Sequence, residues 1–268
     1  MRRIVTRIAV LATAALVVLA TPSAAQESAR IHLIHGIPDT PVDVVAGGEV
    51  VFSDFQFGDT QDLSGLAGQT LAGLTVNAAG TETVAIDAGD VTLPASGNHT
   101  IIAHLDAEGT PTLAVFENDT SSIAAGKGRL TVRHTAAAPA VDVLANGQAA
   151  FTNLANPNEA TADLPVGTIS ASVVPTGATE PVVIGPADLT IADGSSLIVY
   201  AVGSLDGESL TVLTETIDGL GTAPTAVDTG NSPIAEEAGL PVGLLALAGL
   251  VVLAAAVPAR RLVAARVR

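Results

Sequence analysis

The sequence predicts an all-β protein built from two tandem immunoglobulin-like β-sandwiches. Three observations predict it. The central region is an internal repeat of domain length, each copy holds short apolar runs of strand type, and Pro, Gly and Asp turn clusters recur every eight to twelve residues. No long segment of this body carries a helical 3.6 period.

The repeat starts where Arg30-Ile-His-Leu-Ile-His35 is matched by Arg129-Leu-Thr-Val-Arg-His134, at an offset of 99. The same offset runs without a gap through VDVVAGGEVVF (42–52) and VDVLANGQAAF (141–151). Arg30, His35, Val42, Asp43, Val44, Ala46, Gly48 and Phe52 are identical in both copies. Further on, Glu82, Ile86, Asp90 and Thr92 align with Glu180, Ile184, Asp188 and Thr190 at 98. Gly97, Ile101, Leu113 and Val115 then align with Gly194, Ile198, Leu210 and Val212 at 97. A unit near 98 residues is a domain, too long for a solenoid repeat. The first copy is expected over 26–122 and the second over 128–218.

Within each copy the strand signals recur in order. Val42-Asp43-Val44 alternates as a half-buried strand does. Gly47-Gly48 and Asn146-Gly147 each sit between short apolar runs, and both central residues of such a two-residue hairpin turn need positive φ. Thr100–Leu105 and Leu197–Val202 are apolar and β-branched enough for buried strands, and Leu113–Phe116 and Leu210–Leu213 close the copies. About seven short strands in roughly 95 residues suggest the immunoglobulin-like sandwich, with a small β-barrel as the other arrangement. Cys and Trp are absent, so the cores rest on aliphatic packing.

The two ends set the expected address. Arg2, Arg3 and Arg7, the apolar Ile8–Ala20 and the small residues Ser23-Ala24-Ala25 read as a secretory signal peptide over 1–25. Gly239–Val257 is 19 residues without a charge, preceded by Glu236 and Glu237 and followed by Arg260, Arg261, Arg266 and Arg268. A helix of that length nearly spans the roughly 30 Å hydrocarbon layer of a bilayer. A transmembrane helix is therefore expected over 239–258. The basic tail 259–268 is placed in the cytoplasm and the body outside, which makes a single-pass protein of the cell membrane. Residues 219–238, rich in Gly, Pro, Thr, Ala and Asp, read as a flexible stalk. Leu240-Pro241 before an apolar span and a basic tail resembles a sortase sorting signal. The Thr-Gly pair that carries transpeptidation is missing, which favours a retained anchor.

Charge narrows the partners. All 27 acidic residues lie between Gln26 and Ala238, against Arg30, Lys127, Arg129 and Arg133, a formal balance of −23. Such a surface repels phosphate backbones, so nucleic acid is excluded as a partner; the membrane is the expected partner, with room for an unidentified surface protein or polymer.

No residue pattern points to catalysis, a cofactor or a metal. His35 and His134 occupy the same repeat position at a strand end, where a ring closing a backbone hydrogen bond outweighs a metal ligand or a general base. His32, His99 and His104 have no counterpart in the second copy, and a zinc site needs three or four converging ligands. Asp43 and Asp142 read as side chains bonding nearby backbone rather than as calcium ligands. Asp87–Asp90 and Asp106–Glu108 read as turns. Ser64 and Ser195 lie in turn contexts, without the strained elbow of a G-x-S-x-G hydrolase. Phe52, Phe55 and Phe57 cluster in the first copy, where core packing is the expected use.

HGIPDTPVDV (35–44) and RHTAAAPAVDVLANG (133–147), each followed by a Leu-Pro turn and a late apolar strand, resemble the bacterial domain of unknown function 4397. The resemblance covers both copies. The second copy keeps His134, Pro139 and Val141-Asp142-Val143 but has Ala in place of Pro38-Asp39. It implies an exported, tandem β-sandwich module in a bacterium and implies no activity. The expected function is a non-catalytic surface module with a structural or adhesive role. The other expectations are a receptor binding a cation or small ligand through its acidic loops and, third, a hydrolase.

Overall fold

The computed structural model describes residues 28–222. The expected signal peptide, transmembrane helix, basic tail and all but the start of the stalk lie outside them. Within them the chain is all-β: sixteen strands in four four-stranded sheets, with no α-helix and a single 3₁₀ turn at Ser64–Leu66. Among the described residues no helix is long and apolar enough to cross a membrane.

The first eight strands are β1 (Arg30–His35), β2 (Val42–Ala46), β3 (Glu49–Phe55), β4 (Thr60–Asp62), β5 (Thr70–Ala78), β6 (Val84–Thr92), β7 (Asn98–Leu105) and β8 (Pro111–Glu117). They form two sheets, ordered β4-β1-β7-β8 and β3-β2-β5-β6. The second eight are β9 (Lys127–His134), β10 (Val141–Ala145), β11 (Gln148–Leu154), β12 (Glu159–Pro165), β13 (Gly167–Pro175), β14 (Ile184–Ile191), β15 (Ser196–Val202) and β16 (Thr211–Ile217). Their sheets run β12-β9-β15-β16 and β11-β10-β13-β14, the same order eight strands later. Pairing is antiparallel throughout except between β1 and β7 and between β9 and β15, which run parallel.

Each pair of sheets encloses its own aliphatic core, so each set is sandwich-like. In the first, Ile31 and Leu33 of β1 and Ile101 and Ala103 of β7 meet Val42, Val44, Phe55, Leu74, Val76 and Ile86 of the other sheet. The second core repeats this with Leu130, Val132 and Val199 against Val141, Val143, Leu154 and Val173. Eight strands per set, with β1 inside its sheet beside a parallel neighbour, differ from the seven-stranded ABED/CFG order of an immunoglobulin constant domain. The reason is that the short β4, a turn-rich stretch in the sequence, pairs with β1 and takes the edge.

The predicted hairpins form. Gly47 and Gly48 have φ of 61° and 80°, Asn146 and Gly147 of 51° and 76°, and the flanking strands pair Ala46 with Glu49 and Ala145 with Gln148. Both central residues thus take the left-handed conformation that this turn requires.

The last strands correct the sequence alignment. Leu33 pairs with Ile101, and its repeat mate Val132 pairs with Val199, so Ile101 corresponds to Val199 and not to Ile198. Ala103 pairs with Leu113 and Ala201 with Val212, which brings the offset back to 99. The slip has a physical origin. β7 and β15 are buried on both faces, so their apolar runs carry no in-out alternation to fix the register.

That double burial arises because the two sandwiches pack on each other. Ile34, Ile102 and Phe116 of the first share a third cluster with Ile198, Tyr200 and Val202 of the second. The connection between the sandwiches is also held. Ile123, fully buried, donates its N–H to the Leu220 carbonyl and accepts from the Thr222 N–H, so the first residues of the expected stalk lie against the body.

Candidate functional site

The seam between the two sandwiches holds the densest polar network among the described residues. Its centre is the Glu215 carboxylate on β16, whose side chain is 10% exposed. It accepts hydrogen bonds from His32 Nδ1 at 2.7 Å and Thr100 Oγ1 at 2.8 Å, both of the first sandwich, and from the Tyr200 hydroxyl of its own at 2.9 Å. Tyr200 accepts in turn from Arg133 Nη1 at 2.7 Å. Burial pushes the Tyr200 hydroxyl well above its usual range, so it stays a donor.

Arg133 is held on three sides. Its Nε donates to Glu159 Oε2 at 2.7 Å, and its guanidinium lies 4.3 Å from the centroid of the Phe116 ring of the first sandwich. Arg129, four residues earlier on the same face of β9, donates to both carboxylate oxygens of Asp163 and to the carbonyls of Asp119 and Ser121 in the connection. At the far end of the seam, Asn156 Nδ2 donates to the Leu105 and Ala136 carbonyls, one from each sandwich. The arrangement can clamp two domains together.

The residues weighed in the sequence fall elsewhere. His35 Nε2 donates to the Thr40 carbonyl at 2.6 Å, and His134 Nε2 to the Pro139 carbonyl at 3.0 Å. Each ring thus closes the loop after its first strand. Burial lowers the pKa of both and keeps them neutral, partly opposed by these backbone bonds. Asp43 accepts the N–H of Asp54 on Oδ1 and of Gly80 on Oδ2. Asp142 does the same with Asn153 and Gly177, all at 2.8–2.9 Å. These bonds hold Asp54 and Asn153 at φ of 54°, which bulges β3 and β11 against β2 and β10. They also depress both carboxyl pKa values.

Asp106 Oδ1 accepts from the Glu108 and Thr110 N–H groups, and Asp87 Oδ1 from Gly89, as turn residues do. His99 bonds the Ser96 carbonyl and His104 the Leu105 carbonyl. Ser64 Oγ accepts from Ile31 N–H, and Ser195 donates to Asp218. Among the described residues no group of three or more His, Cys, Asp or Glu side chains is placed to hold a metal ion.

A second feature has no signature in the sequence. Between the sheets of the first sandwich lies an apolar cavity of about 270 Å³, lined by Leu33, Val44, Phe52, Phe55, Leu74 and Ile101 among others. Val51 and Val115 also line it and are 47% and 54% exposed, so the cavity reaches the surface. Phe52 and Phe55 therefore face the core, while Phe57 packs against the seam.

No curated protein matches the chain. The family model described as Domain of unknown function (DUF4397) matches residues 29–144, and over that stretch, which takes in the first sandwich and the opening two strands of the second, the chain is similar to that family.

Proposed function

We propose that the chain is an exported, membrane-tethered display module: two tandem copies of this domain, held outside the cell by a single C-terminal span, with a structural or adhesive role and no catalysis. The observation that carries this reading is the seam. Two sandwiches joined by a buried apolar cluster, a three-donor carboxylate and a stacked arginine make one stiff body. A stiff body suits a spacer or a platform, whereas catalysis by two domains commonly needs a cleft that opens and closes between them. The address rests on the charge-flanked apolar segments at 1–25 and 239–258.

The absence of cysteine makes the test clean. Ser232→Cys in the stalk and Ala265→Cys in the basic tail are each introduced into the full chain, and intact cells are treated with a membrane-impermeant maleimide. Labelling of position 232 alone, with position 265 reacting only after permeabilisation, is the expected result. Equal protection of both positions, or labelling of 265 in intact cells, overturns the topology.

A further inference from the structure

We infer that the first sandwich binds a hydrocarbon chain in its interior, the tail of an uncharged amphiphile whose polar end stays at the surface. This inference stands independently of whether the protein is tethered to a membrane. The cavity holds about 270 Å³ and all nineteen residues lining it are Ala, Val, Leu, Ile or Phe. Buried water needs two to four polar partners, and these side chains offer none. A dry apolar cavity of roughly 150 Å³ is enough to take up benzene. The space in the first sandwich is larger, and it reaches the surface at the sandwich edges, where its lining residues Val51 of β3 and Val115 of β8 are about half exposed. Lining atoms without a neighbour forfeit their dispersion contacts, and an alkyl chain restores them.

Charge selects the head group. Residues 28–122 carry Arg30 against 13 acidic side chains, a formal balance of −12. A carboxylate or phosphate head at the mouth would be repelled, whereas an alcohol would not. The occupant is therefore the chain of a neutral molecule in preference to a fatty-acid anion.

The test uses the full chain in bilayer nanodiscs and a 1-decanol analogue carrying a photoactivated diazirine within its alkyl chain. After illumination, peptide mass spectrometry is expected to find adducts enriched on the segments containing Leu74 and Ile101. Ala88→Leu, which fills the cavity from β6, should cut those adducts about tenfold or more while adducts elsewhere hold. Unlabelled decanol should compete better than decanoate, with the gap narrowing as salt rises. Melting temperature reports whether the variant folds, and Val91→Phe is the second filler should Ala88→Leu melt early. Adducts without enrichment in the first sandwich, or enrichment that a folded filler leaves unchanged, overturn the site. Decanoate competing as well as decanol overturns the neutral head group.

Discussion

The Thr100 hydroxyl on β7 donates to the Glu215 carboxylate on β16 at 2.8 Å, a bond between two strands 115 residues apart that belong to different sandwiches. Glu215 takes two more donors, and with its side chain 10% exposed it has little water to fall back on. Glu215→Ala should therefore cost about 3 kcal/mol, since it strands Thr100 and Tyr200 as buried donors. Glu215→Gln should cost less, because one acceptor oxygen remains. Denaturant unfolding of the full chain checks both, and equal stability of Glu215→Ala and wild type would remove the seam carboxylate from the account.

Arg133→Lys should lower stability by about 2 kcal/mol even though the charge is kept. The ammonium cannot reach Glu159 and the Tyr200 hydroxyl together while lying flat on Phe116. Phe116→Leu removes the ring under the guanidinium, along with its edge contact to Tyr200, and leaves the hydrogen-bond partners of Arg133 in place. In a double-mutant cycle the two losses should be less than additive, which isolates the cation–π contact from the hydrogen bonds.

Asp43→Asn and Asp142→Asn should each lower the melting temperature, and by similar amounts, because the two carboxylates hold the same pair of N–H groups in each sandwich. An asparagine offers one acceptor oxygen for two donors. A large difference between the variants would mean that the bulges they hold are not equivalent.

Stability should fall on the acid side of neutrality. Burial lowers the pKa of His35, His104 and His134 in the folded state below the ordinary 6.5. Above that value neither state binds the protons, so these groups contribute no slope. As pH drops beneath it the unfolded chain takes up protons that the folded one refuses, and stability declines until the depressed folded values are passed. The unfolding free energy measured between pH 7.5 and 5 should be flat at first and then fall, with a slope from these groups of at most three protons. A rise over that interval contradicts buried neutral imidazoles.

Much of the fold was legible because β2 and β3, like β10 and β11, flank a two-residue Gly turn and keep partly exposed faces away from the seam. Their alternation and Gly turns announce both the strands and the repeat. The seam was not legible, for a reason visible at matched positions. Arg30 and Arg129 are identical in the repeat, yet Arg30 is exposed and Arg129 is 5% exposed. Ile34 and Arg133 occupy one position, and so do Phe116 and Glu215 under the corrected offset. Such residues read as ordinary surface charges until the partner sheet covers them. The His and Asp pairs were readable because their partners lie close in sequence, as Thr40 does to His35. The cavity left no trace, since a void is the absence of volume and a run of valines and leucines fills space or fails to fill it according to geometry alone.

Both sandwiches meet through the same sheet, the one built on β1 and β7 in the first and on β9 and β15 in the second. A contact in which each member offers the equivalent face is self-limiting, because it closes on itself and leaves no equivalent face for another member. Growth by this contact therefore stops at two. A longer protein of this kind would have to lengthen by whole pairs, joined by surfaces that the seam does not use.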